Sequence, residues 1–130
     1  MGRKSGLALI VYGIKNCDTV KKARLWLDGR GMVYAFHDYK TAGIERARLA
    51  AWCQTVGWEM LLNRAGSTFR QLPDSARQVA DAGAAIALML AQPSMIKRPV
   101  IEHEGGLLVG FKPDQYEQVL AGQRGRGPGS

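Results

Sequence analysis

The sequence predicts an α/β fold: a small mixed sheet with flanking helices and a helical insertion. Three observations support this: an apolar strand followed at once by a helix and a second strand, helical patterns over about 44–92, and a glycine-rich hairpin near the end. A strand–helix–strand unit joins parallel strands, whereas a hairpin joins antiparallel ones, so the sheet should be mixed.

The first two strands are predicted at residues 7–12 and 33–38. Residues 7–12 form an unbroken apolar run, typical of a strand buried on both faces. Asp18 or Thr19 can cap the helix that follows, and two glycines end it. Residues 33–38 are rich in Val, Tyr and Phe, which favour a strand parallel to the first.

The insertion is predicted to be helical. Apolar residues recur at three- and four-residue steps over 44–56, namely Leu49, Trp52, Cys53 and Val56. Short helical stretches are expected near Leu61 and from Pro73. Residues 80–91 are almost all apolar, which predicts a buried helix that ends before Pro93.

The last elements are a hairpin and a closing helix. Strands are predicted at 99–103 and 107–110, around the tight turn Glu104-Gly105-Gly106. A closing helix is predicted at 113–120, because the proline at its start has a φ that suits the first turn of a helix.

Composition indicates one globular domain of ordinary size. Hydrophobic residues make up 46% of the 130 residues and charged residues 22%. We assign 7–121 to a single domain and expect disordered tails at 1–6 and 122–130. The tails carry +4 of the formal net charge of +7, from Arg3, Lys4, Arg124 and Arg126. No specific nucleic-acid partner is therefore expected.

The apolar runs and the cysteines limit the location. No apolar run is long enough to span a bilayer, so no membrane association is expected. Two cysteines form neither a disulfide framework nor a cysteine-based zinc site, which favours a reducing cytoplasm. His37 and His103 show no metal-ligand spacing with nearby acids, so no metal is expected.

Cys17 lies where chemistry is expected, between a buried strand and a helix start. Ligands bind at the carboxyl ends of strands in open α/β sheets. Free N–H groups at a helix start lower thiol pKa values to about 3.5–7.5, and Lys15 and Lys21 add positive charge. The alternative is a structural cysteine at a turn. Cys53 has helical spacing with apolar residues and is expected to pack in the core.

Three segments carry a family resemblance. They are Gly13-Ile14-Lys15-Asn16-Cys17-Asp18-Thr19-Val20-Lys21-Lys22-Ala23, Ile96-Lys97-Arg98-Pro99-Val100 and Gly110-Phe111-Lys112-Pro113. Together they resemble the arsenate reductase (ArsC) family, in particular its YffB branch, which is related to the Spx regulators. The resemblance runs over about 9–120 and implies a thioredoxin-like fold with a helical insertion.

The resemblance also implies site residues. The family's nucleophilic cysteine falls on Cys17, and the arginine of its Arg-Pro motif falls on Arg98. Pro99 then follows a cis peptide bond. Lys15 and Asn16, beside the nucleophile, join Arg98 and Pro99 in the predicted anion-binding set.

This chain departs from the arsenate reductases at several site positions. A second family arginine falls on Asn63 or on Arg64 beside it, and we include Arg64 among the anion-binding residues. Val20 and Lys21 stand where those enzymes have a serine and an arginine, and 108–110 hold no third arginine. Arsenate is therefore expected to be a poor substrate.

The expected function is that of a glutathione-dependent thiol oxidoreductase with one nucleophilic cysteine. A dithiol relay is excluded because Cys17-Asp18-Thr19-Val20 lacks a second cysteine. Glutathione is then a co-substrate rather than a bound cofactor, glutaredoxin is a further partner, and the protein is a monomer. The alternatives are an Spx-like non-enzymatic regulator that binds RNA polymerase, and a weak arsenate reductase.

Overall fold

The computed structural model describes residues 9–121. They form two compact units: unit 1 comprises 9–37 and 98–121, and unit 2 is Asp38–Lys97. The predicted tails, and the first two residues of the predicted strand 7–12, lie outside the described residues. Unit 2 includes the whole predicted insertion, 44–92. The assignment of 7–121 to one domain stays a prediction.

The elements alternate as the sequence predicts: strand, helix, strand, several helices, hairpin, helix. In chain order they are β1 (Ile10–Gly13), α1 (Asp18–Gly29), β2 (Ala35–Asp38), α2 (Tyr39–Ala42), α3 (Arg46–Val56), α4 (Trp58–Leu61), α5 (Ser67–Arg70), α6 (Asp74–Arg77), α7 (Ala82–Ala91), a 3₁₀ turn (Pro93–Met95), β3 (Val100–His103), β4 (Gly106–Val109), α8 (Pro113–Tyr116) and a π-helical turn (Glu117–Ala121).

The strands form one mixed sheet in the order β2-β1-β3-β4. β3 runs antiparallel to both of its neighbours: Ile101 lies opposite Val11 of β1 and opposite Leu108 of β4. Because the sheet is mixed and both of these pairs are antiparallel, β1 and β2 are its parallel pair. The predicted α/β architecture with a mixed sheet is confirmed.

One face of this sheet carries the core of unit 1. Side chains alternate along a strand, so Val11, Ile101 and Leu108 share that face. They pack with residues of α1 and of the C-terminal helical segment, namely Ala23, Leu27, Tyr116 and Leu120. This burial fixes α1 against the sheet, and with it the residue that precedes α1.

Unit 2 is helical, and hydrogen bonds join its C-terminal end both to its middle and to its N-terminal end. Leu62 and Ile96 form an isolated antiparallel bridge. Beside it, the Lys97 N–H donates to the Leu61 carbonyl at 2.7 Å. The buried Tyr39 hydroxyl donates to the Ile96 carbonyl at 2.9 Å. Within the described residues no helix is long and apolar enough to cross a membrane.

The prediction of a buried helix at 80–91 is wrong in two respects. The helix begins at Ala82, because the Asp81 carboxylate accepts the Ala84 N–H at 2.9 Å and caps it. Only one face is buried, the one with Ala85, Ile86 and Met89. Alanine favours a helix through its propensity alone, so an alanine-rich run does not require burial on all sides.

The starts of β2 and of α1 also differ from the prediction. The second strand begins at Ala35 rather than at residue 33, and Val33 is 84% exposed. Neither Asp18 nor Thr19 is the N-cap of α1, because Cys17 takes that position with an extended backbone (φ −100°, ψ 127°). Apolar and capping patterns define an element well but its first residue poorly.

Candidate active site

Cys17 is placed by the short turn between β1 and α1. Its N–H donates to the Ile14 carbonyl at 3.2 Å, and its own carbonyl accepts the Lys21 N–H at 2.9 Å. The second bond is the first turn of α1, so the thiol lies at the amino end of a 12-residue helix. The unpaired N–H groups of that end form a site suited to a negative charge.

A glycine allows β1 and α1 to approach each other beside this turn. Gly13 is the last residue of β1, and a Cβ built on it would lie 2.8 Å from Cγ2 of Val20. Val20 is fully buried and β-branched, so it has little freedom to move. The missing side chain at residue 13 therefore keeps the first turn of α1 close to the end of the strand.

Gly13→Ala is expected to destabilise the fold by about 1–3 kcal/mol, the usual cost of overpacking a core. Gly29→Ala is the matched control: Gly29 ends α1 and a Cβ there meets nothing within 4 Å, so it should be neutral or stabilising by up to about 1 kcal/mol. Urea unfolding of both variants checks this. Equal stabilities for the two variants would contradict the close approach.

Arg98 brings a positive charge to the sulfur from the start of β3. The peptide bond between Arg98 and Pro99 is cis, as the family resemblance implies. Pro99 is buried, and its carbonyl accepts the Gly110 N–H at 2.8 Å. Arg98 is half-buried, and its side chain hydrogen-bonds the Cys17 thiol. Cys17 and Arg98, both in unit 1, thus form a hydrogen-bonded pair of a nucleophile and a cation.

The pKa of Cys17 is lowered from the ordinary thiol value. Partial burial is the largest influence and raises the pKa, but several smaller influences act together against it. The Val20 N–H, the Arg98 side chain and the Thr19 N–H hydrogen-bond the sulfur, and the charge of Arg98 stabilises the thiolate. The pKa of Cys17 is thus lowered, as the sequence predicts. The N–H groups at the start of α1 and the Arg98 side chain cause this lowering.

We expect the alkylation rate of Cys17 to rise with pH and to reach half its maximum below about 8.5, the ordinary thiol value. Arg98→Gln removes one hydrogen bond and one positive charge from the thiolate, so the midpoint should move upward. Iodoacetamide kinetics against pH, in a Cys53→Ser background, measure it. A wild-type midpoint at or above 8.5, or no change in the variant, would contradict the proposed electrostatics.

Cys53 differs from Cys17 in its surroundings. It lies in α3 and is half-buried, not in the core as expected, because the buried side chains of this helix are Leu49 and Trp52. Burial raises its pKa, with no opposing hydrogen bond or charge among the causes. A thiol of this kind reacts slowly at neutral pH.

The other residues of the predicted anion-binding set are exposed. Lys15 and Asn16 lie in the turn before Cys17, within unit 1. Arg64 belongs to unit 2, where its guanidinium lies 5.4 Å from the centre of the Trp58 ring. The anion-binding roles of these three residues stay predictions. Within residues 9–121, no group of three His, Cys, Asp or Glu side chains could hold a metal ion.

The sequence predicts free N–H groups at this helix start but does not show which of them reach the sulfur. The backbone N–H groups of Val20 and Thr19 both hydrogen-bond the Cys17 sulfur, although Val20 stands out in the sequence only as the replacement for a family serine. A signal for both was present, because any residue in the first turn of a helix has an N–H that the helix leaves unpaired.

Comparisons with known proteins agree with this geometry. A family model described as the ArsC family matches residues 12–119. An uncharacterised protein of Haemophilus influenzae is 36% identical over 87% of this chain and 99% of its own. A global transcriptional regulator Spx of Streptococcus pyogenes is 24% identical over 82% of this chain and 80% of its own.

Two solved structures have higher sequence identity to the chain. A YFFB protein is 57% identical, with a TM-score of 0.83, over 86% of this chain and 98% of its own. An arsenate reductase (ArsC) related protein of Brucella melitensis is 56% identical, with a TM-score of 0.71, over 92% of this chain and 98% of its own. The predicted thioredoxin-like α/β fold class is confirmed.

Proposed function

Because the chain belongs to the ArsC family and is an arsenate reductase-like protein, we propose that it is a glutathione-dependent thiol oxidoreductase with Cys17 as its single nucleophile. The observation that carries the proposal is the contact of Arg98 with the Cys17 thiol at the amino end of α1. A thiolate stabilised there is nucleophilic at neutral pH.

The proposed reaction is thiol–disulfide exchange in two steps. The Cys17 thiolate attacks the glutathione sulfur of a mixed disulfide; a new sulfur–sulfur bond forms, the old one breaks, and the substrate leaves as a thiolate that takes up a proton. A second glutathione, as thiolate, then attacks the Cys17-bound glutathione, releases oxidised glutathione and restores the Cys17 thiolate. The two electrons that reduce the substrate come from glutathione.

Glutathione is favoured as the reductant for two reasons. The motif around Cys17 holds no second cysteine, and burial raises the pKa of Cys53, which makes it a slow thiol, so we assign the resolution of oxidised Cys17 to a thiol outside the chain. Glutathione also carries carboxylates, which a guanidinium such as that of Arg98 binds through a planar pair of donors. Glutaredoxin is proposed as an alternative electron donor, the cytoplasm as the compartment, and the monomer as the working form.

A coupled assay tests the proposal. Purified protein is incubated with a glutathionylated peptide, reduced glutathione, glutathione reductase and NADPH, and NADPH oxidation is followed. We expect a rate above the protein-free background that is proportional to protein concentration. A rate equal to the background at every protein concentration would contradict the proposed function.

A second candidate is a non-enzymatic regulator, favoured by the similarity to Spx. It predicts direct binding of purified RNA polymerase and no catalysed disulfide reduction. The coupled assay and a binding titration with RNA polymerase separate the two candidates, since each predicts a positive result in only one of them.

A further inference from the structure

We propose that Tyr116 is a positioning residue for the Arg98–Cys17 pair, acting through Gly110 and Pro99. The inference deepens the proposed function and rests on it for its catalytic meaning. Tyr116 lies outside the segments that carry the family resemblance. Nothing in the charge or spacing of the sequence marks it as part of the site.

The Tyr116 side chain is held rigidly inside unit 1. It is fully buried, with rings on two sides in edge-to-face contact. The Trp26 ring lies 5.5 Å away at 89°, and the Phe111 ring 5.1 Å away at 82°, measured between centroids. Edge-to-face packing fixes the plane of a ring and hence the direction of its hydroxyl.

The hydroxyl reaches the bend that follows β4, directly before Phe111. It donates to the Gly110 carbonyl at 2.6 Å. Gly110 has a positive φ of 81°, a conformation that glycine adopts easily. The Gly110 N–H donates in turn to the Pro99 carbonyl at 2.8 Å. Both peptide planes that meet at Gly110 are therefore fixed by hydrogen bonds.

The turn at Gly110 holds the backbone next to Arg98 in place. Pro99 follows Arg98 directly, so the hydrogen bond at the Pro99 carbonyl fixes the backbone next to the arginine. The Arg98 side chain hydrogen-bonds the Cys17 sulfur, and this contact depends on where its backbone lies. A continuous series of contacts thus joins the Tyr116 hydroxyl to the nucleophile.

The test uses Tyr116→Phe, which removes the hydroxyl and keeps the ring. The matched control is Tyr34→Phe: the Tyr34 hydroxyl accepts a partly buried hydrogen bond from Arg24 Nε at 3.1 Å and has no part in the series. Both are made in a Cys53→Ser background, so that only Cys17 is alkylated. Circular dichroism and thermal unfolding establish that both are folded at the assay temperature.

We expect Tyr116→Phe to raise the pH midpoint of Cys17 alkylation to a value between those of the parent and Arg98→Gln. Tyr34→Phe should leave it unchanged. In an Arg98→Gln background, Tyr116→Phe should cause no further shift, because the residue through which it acts is gone. If Tyr116→Phe leaves the alkylation midpoint of the parent unchanged, or shifts it equally in the parent and in Arg98→Gln, the inference is overturned.

These outcomes are independent of glutathione turnover. Alkylation reports the Cys17 thiolate whether or not the protein reduces disulfides. A parent protein without activity would therefore defeat the proposed function and still leave the alkylation comparison decisive for Tyr116.

Discussion

Cys17→Ser is expected to abolish glutathione-dependent disulfide reduction, with a loss of more than about 10³-fold. A serine hydroxyl is not ionised at neutral pH, so the hydrogen bonds and charge that stabilise the thiolate have no anion to act on. The loss appears as the NADPH oxidation rate of the coupled assay falling to the protein-free background.

Cys53→Ser is the matched control, since it removes the only other thiol of the chain. Burial raises the pKa of Cys53, so its loss should change the rate by less than about twofold. A large loss in Cys53→Ser would mean that the two cysteines act together and that the single-cysteine mechanism is wrong.

Arsenate is expected to be reduced very slowly. Its reduction needs several donors and cations to converge on the oxyanion beside the sulfur. The resemblance to arsenate reductases implies a serine and an arginine where this chain has Val20 and Lys21, and a third arginine in 108–110, where the buried Val109 carries no charge. Each lost donor typically costs about 10²–10³ in turnover.

Two such losses reduce turnover by about 10⁴–10⁶, which places an enzyme of ordinary rate well below 1 s⁻¹. An assay with arsenate, reduced glutathione and glutaredoxin measures it. Lys21→Arg restores one guanidinium at an exposed position and should increase the rate. Wild-type turnover of about 1 s⁻¹ or more would show that the replaced residues are not needed.

The position of Cys17 could be predicted because it depends on local signals. An apolar run that stops at Gly13, followed by a helical pattern, places residue 17 at a strand-to-helix turn without any knowledge of distant contacts. The mixed sheet could be predicted from local signals too, because a strand–helix–strand unit and a hairpin each fix the direction of their strands. Arg98 is about 80 residues away in the chain; its role was predicted from a family motif, because a propensity scale does not bring two distant segments together.

The remaining parts of the site depend on tertiary contacts. Lys15 and Lys21 were expected to stabilise the thiolate because they are close in sequence, but both are exposed, and the causes of the lowered pKa are Arg98 and backbone N–H groups. Formal charge near a residue says little about where a long side chain lies. The role of Tyr116 could not be predicted either, because the direction of its hydroxyl depends on the packing of its ring against Trp26 and Phe111.

The most direct test of the central claim is to locate the glutathione adduct. Protein treated with oxidised glutathione at pH 7, where an ordinary thiol is mostly protonated, is examined by intact-mass and peptide mass spectrometry, before and after reduced glutathione is added. The account predicts one glutathionyl group per chain, on Cys17, removed completely by reduced glutathione. An adduct on Cys53 instead, or an unmodified Cys17, would contradict it.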